Sequence, residues 1–202
     1  MLRIRQLILT AIFIALAIAG GLTLFAFPGV EVVTATVFLA GFMLGVMRGF
    51  IAGVIAEFLY TLFNPLGPAA PPLMIAQIAG MALSGLAGGF TAKSFTKRFP
   101  PIPVFTALGI FLTLFLDLAT TLAFGLTIKQ TFSGFLAALT IGAPIYLTHL
   151  ATNTLIFSVL VPILARRLQT LPVFQALVKP QAAPRFAPAP DSKLTKPIQS
   201  QV

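Results

Sequence analysis

The apolar runs of this chain are interrupted almost only by basic residues, and two acids, Glu57 and Asp117, lie inside them. Uncharged stretches of about 20 residues have the length of a bilayer-crossing helix, so hydrocarbon rather than water is the solvent that shapes this chain. A carboxylate at that depth costs roughly 2.5–3.5 kcal/mol on insertion scales unless it faces a cavity, a partner or a ligand. Composition agrees: 58% of residues are hydrophobic and 8% charged, whereas soluble domains are about 25% charged. The net charge of +9 raises nucleic acid as a partner. The basic residues form no continuous stripe, however, and read as topology determinants instead. With no cysteine and one histidine, thiol chemistry is excluded and a multi-ligand zinc-type site is disfavoured, so neither metal nor cofactor is expected.

Arg3 and Arg5 ahead of an apolar stretch, with Ala17-Ile18-Ala19 beyond, resemble a secretory signal, but the run continues to Phe25 and reads as a first transmembrane helix. Six spans are expected, at residues 7–25, 32–47, 50–63, 73–92, 102–126 and 139–165. The second and third form a hairpin of short or tilted helices divided at Arg48-Gly49. The proline-dense segment from Asn64-Pro65 to Pro71-Pro72 cannot be helical throughout and forms a loop. Residues 132–138 are assigned to an outer loop or short amphipathic segment, and Pro144 and Pro162 predict a kink or local adjustment in the last span. An even number of spans places both termini on one side. Arg3, Arg5, Arg48, Lys93, Lys97, Arg98, Arg166 and Arg167 then share that side, leaving Lys129 opposite, and the positive-inside rule makes it cytoplasmic. The fold class is an all-α integral membrane bundle over residues 1–170. Residues 171–202, rich in Pro, Ala, Gln and Lys, read as a disordered cytoplasmic tail.

The polar residues of the spans gather at one depth. Asp117 lies fifteen residues past Ile102, about 22 Å from the cytoplasmic end at 1.5 Å per residue. Thr113, Thr120 and Thr121 share its face, Tyr146, His149 and Asn153 stack on the last helix, and Gln77 enters the fourth helix from outside. Glu57 lies near mid-membrane, with Tyr60 a turn farther out and Asn64 beyond. These groups describe a pocket in the outer half, roofed by the proline-rich loop and the Lys129 loop. Taken singly, each is also explained by an interhelical hydrogen bond of about 0.6 kcal/mol. A Glu57–His149 or Asp117–His149 pair is a further alternative. On the first helix, Ala11, Ala15 and Ala19 line one face, and such a strip lets another helix approach closely, inside the bundle or from a partner. Gly41, Gly45, Gly49, Gly53, Gly80, Ser84 and Gly88 repeat the spacing and are expected to serve internal contacts. No nucleotide-binding, hydrolase or zinc-protease motif is present.

Over about residues 5–170 the chain resembles the substrate-binding S components of energy-coupling factor (ECF) transporters. The resemblance is carried by Ala11-Ile12-Phe13-Ile14-Ala15, by Val37-Phe38-Leu39-Ala40-Gly41-Phe42-Met43-Leu44-Gly45-Val46-Met47-Arg48-Gly49, and by Gly53 and Asn64-Pro65. It implies a non-enzymatic, six-helix subunit of a prokaryotic plasma membrane. Such a subunit captures a vitamin or related micronutrient from outside and delivers it inward with a transmembrane T component and two separate ABC ATPases. It also implies that Ala11 and Ala15 contact the T component, and that Gln77, Asp117, His149 and Asn153, with Glu57 and Asn64, hold the substrate. The chain lacks the N-terminal Met-His of the metal-transporting members, and its buried acids favour a neutral or cationic heterocycle over a polycarboxylate. The residues alone also leave open a small intramembrane enzyme using Asp117 and His149 for proton transfer, and a membrane scaffold.

Overall fold

The computed structural model describes residues 2–128 and 131–178, and all regular structure among them is helical. The elements are α1 (Leu2–Leu24), α2 (Val33–Leu44), α3 (Val46–Leu62), α4 (Pro71–Ser94), α5 (Ile102–Ile128), α6 (Phe132–Leu155), a π-helical turn (Ile156–Leu160), α7 (Val161–Thr170) and α8 (Pro172–Val178). Four stretches are long and apolar enough to cross a membrane: Arg3–Leu24, Pro71–Ser94, Ile102–Gly125 and Phe132–Thr170. The helices α2 and α3, with 12 and 17 residues, are about 18 and 26 Å long at 1.5 Å per residue.

The helices α3 and α4 run in opposite directions, and so do α5 and α6. Along α3 and α4 the close pairs are Gly49 with Gly85 and Gly53 with Met81, an antiparallel match. Along α5 and α6 they are Asp117 with His149, Thr121 with Tyr146 and Gly125 with Phe135. Glycine sets the spacing in the first half of the bundle. A Cβ on Gly41 or Gly49 would overlap the Gly85 carbonyl, one on Gly88 the Phe38 carbonyl, and one on Gly53 the Met81 carbonyl. Backbone therefore packs directly on backbone among α2, α3 and α4, the contact that small residues permit where lipid offers no hydrophobic drive to associate. The expectation of internal contacts holds for these four glycines, for Gly80 against Leu116, and for Ser84, whose hydroxyl donates to the Thr34 carbonyl at 2.8 Å. Gly45 does something else. It has φ 96° and ψ 166° and makes the whole turn between α2 and α3, a backbone region essentially reserved for glycine. The hairpin thus breaks at Gly45 and not at Arg48-Gly49, and both of those residues lie in the first turn of α3.

Beside the glycine seam, an aromatic core joins α2 to α5 and the π turn. The Phe38 ring meets Phe157 at 5.2 Å and Phe105 at 6.1 Å between centroids, both edge-on, the arrangement the ring quadrupole favours.

Two further boundaries differ from expectation. Residues 132–138 are helical, because Thr131 caps α6 by accepting the Gly134 N–H at 3.2 Å and the helix then runs on to Thr170 without a break. Pro144 is absorbed within α6, whereas the adjustment expected near Pro162 is present as the π turn. There Val161 N–H reaches back to Ile156 O, widening the helix just before a residue that has no N–H to donate. The ordered body also continues beyond residue 170. The helix α8 buries Phe174 against Phe13, at 6.4 Å between ring centroids, so the start of the expected disordered tail belongs to the core. The remainder of that tail and the Lys129 roof lie outside the described residues.

Candidate functional site

The site begins with a strap between α1 and α2. Gly29, at φ 78°, lies so close to α6 that a Cβ would press on the Ile145 carbonyl and the His149 amide. The Thr152 hydroxyl donates to the Gly29 carbonyl at 2.8 Å. This tie carries Glu31 against α6. Its Oε2 accepts the Thr34 N–H at 2.9 Å, serving the start of α2, and its Oε1 accepts from Asn153 Nδ2 at 2.8 Å and faces His149 Nε2 at 3.2 Å.

From the other side, Asp117 Oδ1 lies 2.8 Å from His149 Nδ1. Both ring nitrogens therefore face carboxylate oxygens, and only an imidazolium donating from both satisfies the two acids when they are ionised. Asn153 also donates to Thr113 Oγ1 at 3.0 Å, and Thr121 donates to the Tyr146 hydroxyl at 2.6 Å. Burial pushes the Glu31 carboxyl upward, but the hydrogen bonds and charge of His149, with donors from Thr34 and Asn153, outweigh it and hold Glu31 at about 2.

Beside this cluster lies a cavity of about 460 Å³, walled by Glu31, Glu57, Gln77, Asp117, Thr120, Thr121 and Tyr146 among largely apolar neighbours. Its lining includes Glu57 and Tyr60 of α3, Leu73 and Gln77 near the start of α4, Phe124 near the end of α5 and Ala138 of α6. Thr61 and Gln77 meet at 3.3 Å and join α3 to α4 beside it. Two buried oxygens of the walling carboxylates, Glu57 Oε2 and Asp117 Oδ2, have no hydrogen-bond partner, and neither has Asn153 Oδ1. An unpaired buried group of this kind costs about 1–3 kcal/mol, more when charged.

Of the residues expected in the site, the structure brings Glu57, Gln77 and Asp117 to one cavity wall. His149 and Asn153 stand behind that wall and hold Glu31 and Asp117 in place. Asn64 is not part of the cavity wall. Its Oδ1 accepts the Leu66 N–H at 2.9 Å within the α3–α4 loop, a local turn bond. Between the two pairs left open for His149, Asp117 is its partner and Glu57 is not. Glu31 was missed. An acid just ahead of an apolar run reads as an ordinary helix-start residue, which is half of what it does here. The available signal was that the chain has only four acids. Ala11, Ala15 and Ala19 lie on an exposed face of α1, bordered by exposed Ile8, Ile12 and Leu16.

No protein-family model, curated protein or solved structure matches the chain. The fold and site therefore define a helical protein with membrane-compatible apolar helices and a polar-walled cavity at one end of its bundle.

Proposed function

We propose that the chain is the substrate-binding subunit of an ECF-type importer in a prokaryotic plasma membrane. In this reading six helices span the bilayer with both termini cytoplasmic. The cavity takes a vitamin or related micronutrient from the outer side, and a T component with two separate ABC ATPases completes the importer. The observation that carries the reading is the cavity itself. Its volume of about 460 Å³ falls in the usual range for small-molecule sites, about 300–1,000 Å³, which are mostly apolar with a few placed polar groups. It lies at the end away from Arg3, Arg5, Arg48, Lys93 and Arg166, which the positive-inside rule puts in the cytoplasm. The exposed Ala11–Ala15 face supports the partner role, since it offers a helix from a T component close approach. A binding protein fits better than an enzyme because both His149 nitrogens are engaged by carboxylates, leaving neither free as a general base.

The test is co-purification from the native host combined with mass spectrometry of small molecules retained by the chain. A membrane partner, ATPases and a bound micronutrient are the expected result. A chain that recovers no ATPase and no small molecule, or whose termini are labelled from outside the cell, would sink the proposal.

A further inference from the structure

Three of the four acidic residues of the chain, Glu31, Glu57 and Asp117, wall the same cavity. Among the described residues no lysine or arginine joins them there, and His149 is the one cationic group paired with any of them. That histidine is shared between Glu31 and Asp117, so among the described residues Glu57 has no cationic partner. Glu57 is 3% exposed and Asp117 8% exposed, and each keeps one buried oxygen without a donor. Buried carboxyls in such surroundings stay ionised when donors or positive charge complete them, and otherwise hold a proton. Met81, Leu116 and Phe124 give the same wall an apolar surface.

We infer that the ligand is a small organic cation whose charged N–H-bearing group lies between Glu57 and Asp117 and whose apolar remainder rests on Met81, Leu116 and Phe124. This rests on the substrate-cavity reading above and adds the sign of the substrate's charge. An anionic substrate would meet a wall of three acids that, among the described residues, holds no lysine or arginine to receive it. A multivalent metal ion fits poorly, since no group of three or more His, Cys, Asp or Glu among the described residues is arranged to hold one.

The experiment uses the full chain in detergent or nanodiscs, with thermal unfolding and equilibrium dialysis as readouts. Thiamine and benzamidine serve as cationic probes, pantothenate and benzoate as anionic ones, and NaCl against KCl tests a bare ion. The expected result is stabilisation by at least one organic cation and by neither anion. Glu57→Gln and Asp117→Asn should each weaken that binding at least about thirtyfold, the loss typical of breaking a buried charge pair, while Asn64→Ala should leave it unchanged. Should either variant fail to fold, the wild-type panel alone decides. Stabilisation by an anion overturns the charge assignment while keeping the cavity as the binding site. A response to NaCl alone overturns it in favour of an ion site. Silence across the panel, with no small molecule retained through purification, overturns both the inference and the importer reading.

Discussion

Asp117 on α5 and Glu31 on the α1–α2 strap hold the two opposite nitrogens of one imidazole, His149, at 2.8 and 3.2 Å. Three chain segments far apart in sequence are thus joined through a single ring, and the joint stands directly behind the cavity wall.

Removing that ring should be costly. His149→Ala would leave two carboxylates buried against each other without their shared donor, and breaking a buried pair by deleting one partner typically costs about 3–5 kcal/mol. Thermal unfolding of the purified variant should show the loss, and Asp117→Asn combined with His149→Ala should lose much less than the two single changes summed.

Glu31 makes stability depend on acid. Its carboxyl titrates near 2 in the folded protein against an ordinary 4.5, so its contribution is full above about 4.5 and drains away as pH falls toward about 2. The stability gap between wild type and Glu31→Gln, followed by chemical unfolding from neutral to acid pH, should be constant above about 5.5 and shrink below it. A gap that widens in acid would contradict the charge arrangement around His149.

The turn at Gly45 and the seam at Gly41 should fail in different ways. Nothing crowds a Cβ on Gly45, so Gly45→Ala carries only backbone strain, about 1–3 kcal/mol. At Gly41 a Cβ would overlap the Gly85 carbonyl, and Gly41→Leu should prevent assembly of α2 on α4. Expression followed by size-exclusion chromatography separates a weakened fold from an absent one.

Ala15 tests the partner face without touching the cavity. It is exposed on α1, so under the proposed importer assembly Ala15→Trp should leave the unfolding temperature unchanged while reducing recovery of the proposed T component and ATPases in pull-downs.

Asn64 and Gln77 are separable by the same logic. The Asn64 side chain accepts from Leu66 within its own loop, and Asn64→Ala should cost about 0.5–1.5 kcal/mol of stability with no change in ligand binding. Gln77 walls the cavity beside Thr61, and Gln77→Leu should alter binding more than stability.

Much of this was legible in the chain, and the gaps have physical causes. Spacing alone put Tyr146, His149 and Asn153 on one face and aligned Asp117 with them, because helical periodicity is local. The bond from Asp117 to His149 needed only that α5 and α6 be adjacent. What could not be read was where the backbone turns left-handed. Arg48-Gly49 carries a charge and a glycine and looks like a break, while the break at Gly45 depends on a φ of 96° that no residue pattern announces. Glu31 escaped for a related reason, since its reach to α6 depends on Gly29 pressing against His149. Phe174 escaped because the proline-rich sequence around it conceals one aromatic ring seated on Phe13.

Where three helices touch main chain to main chain, as α2, α3 and α4 do at Gly41, Gly49, Gly53 and Gly88, no change of rotamer can relax the contact. Around His149, by contrast, α5, α6 and the Gly29 strap are also tied by side-chain hydrogen bonds, from His149 to Asp117 and Glu31 and from Thr152 to Gly29. Substitutions in the His149 cluster therefore reach the cavity wall through Glu31 and Asp117, while those in the glycine seam reach it through the main chain of α3 and α4.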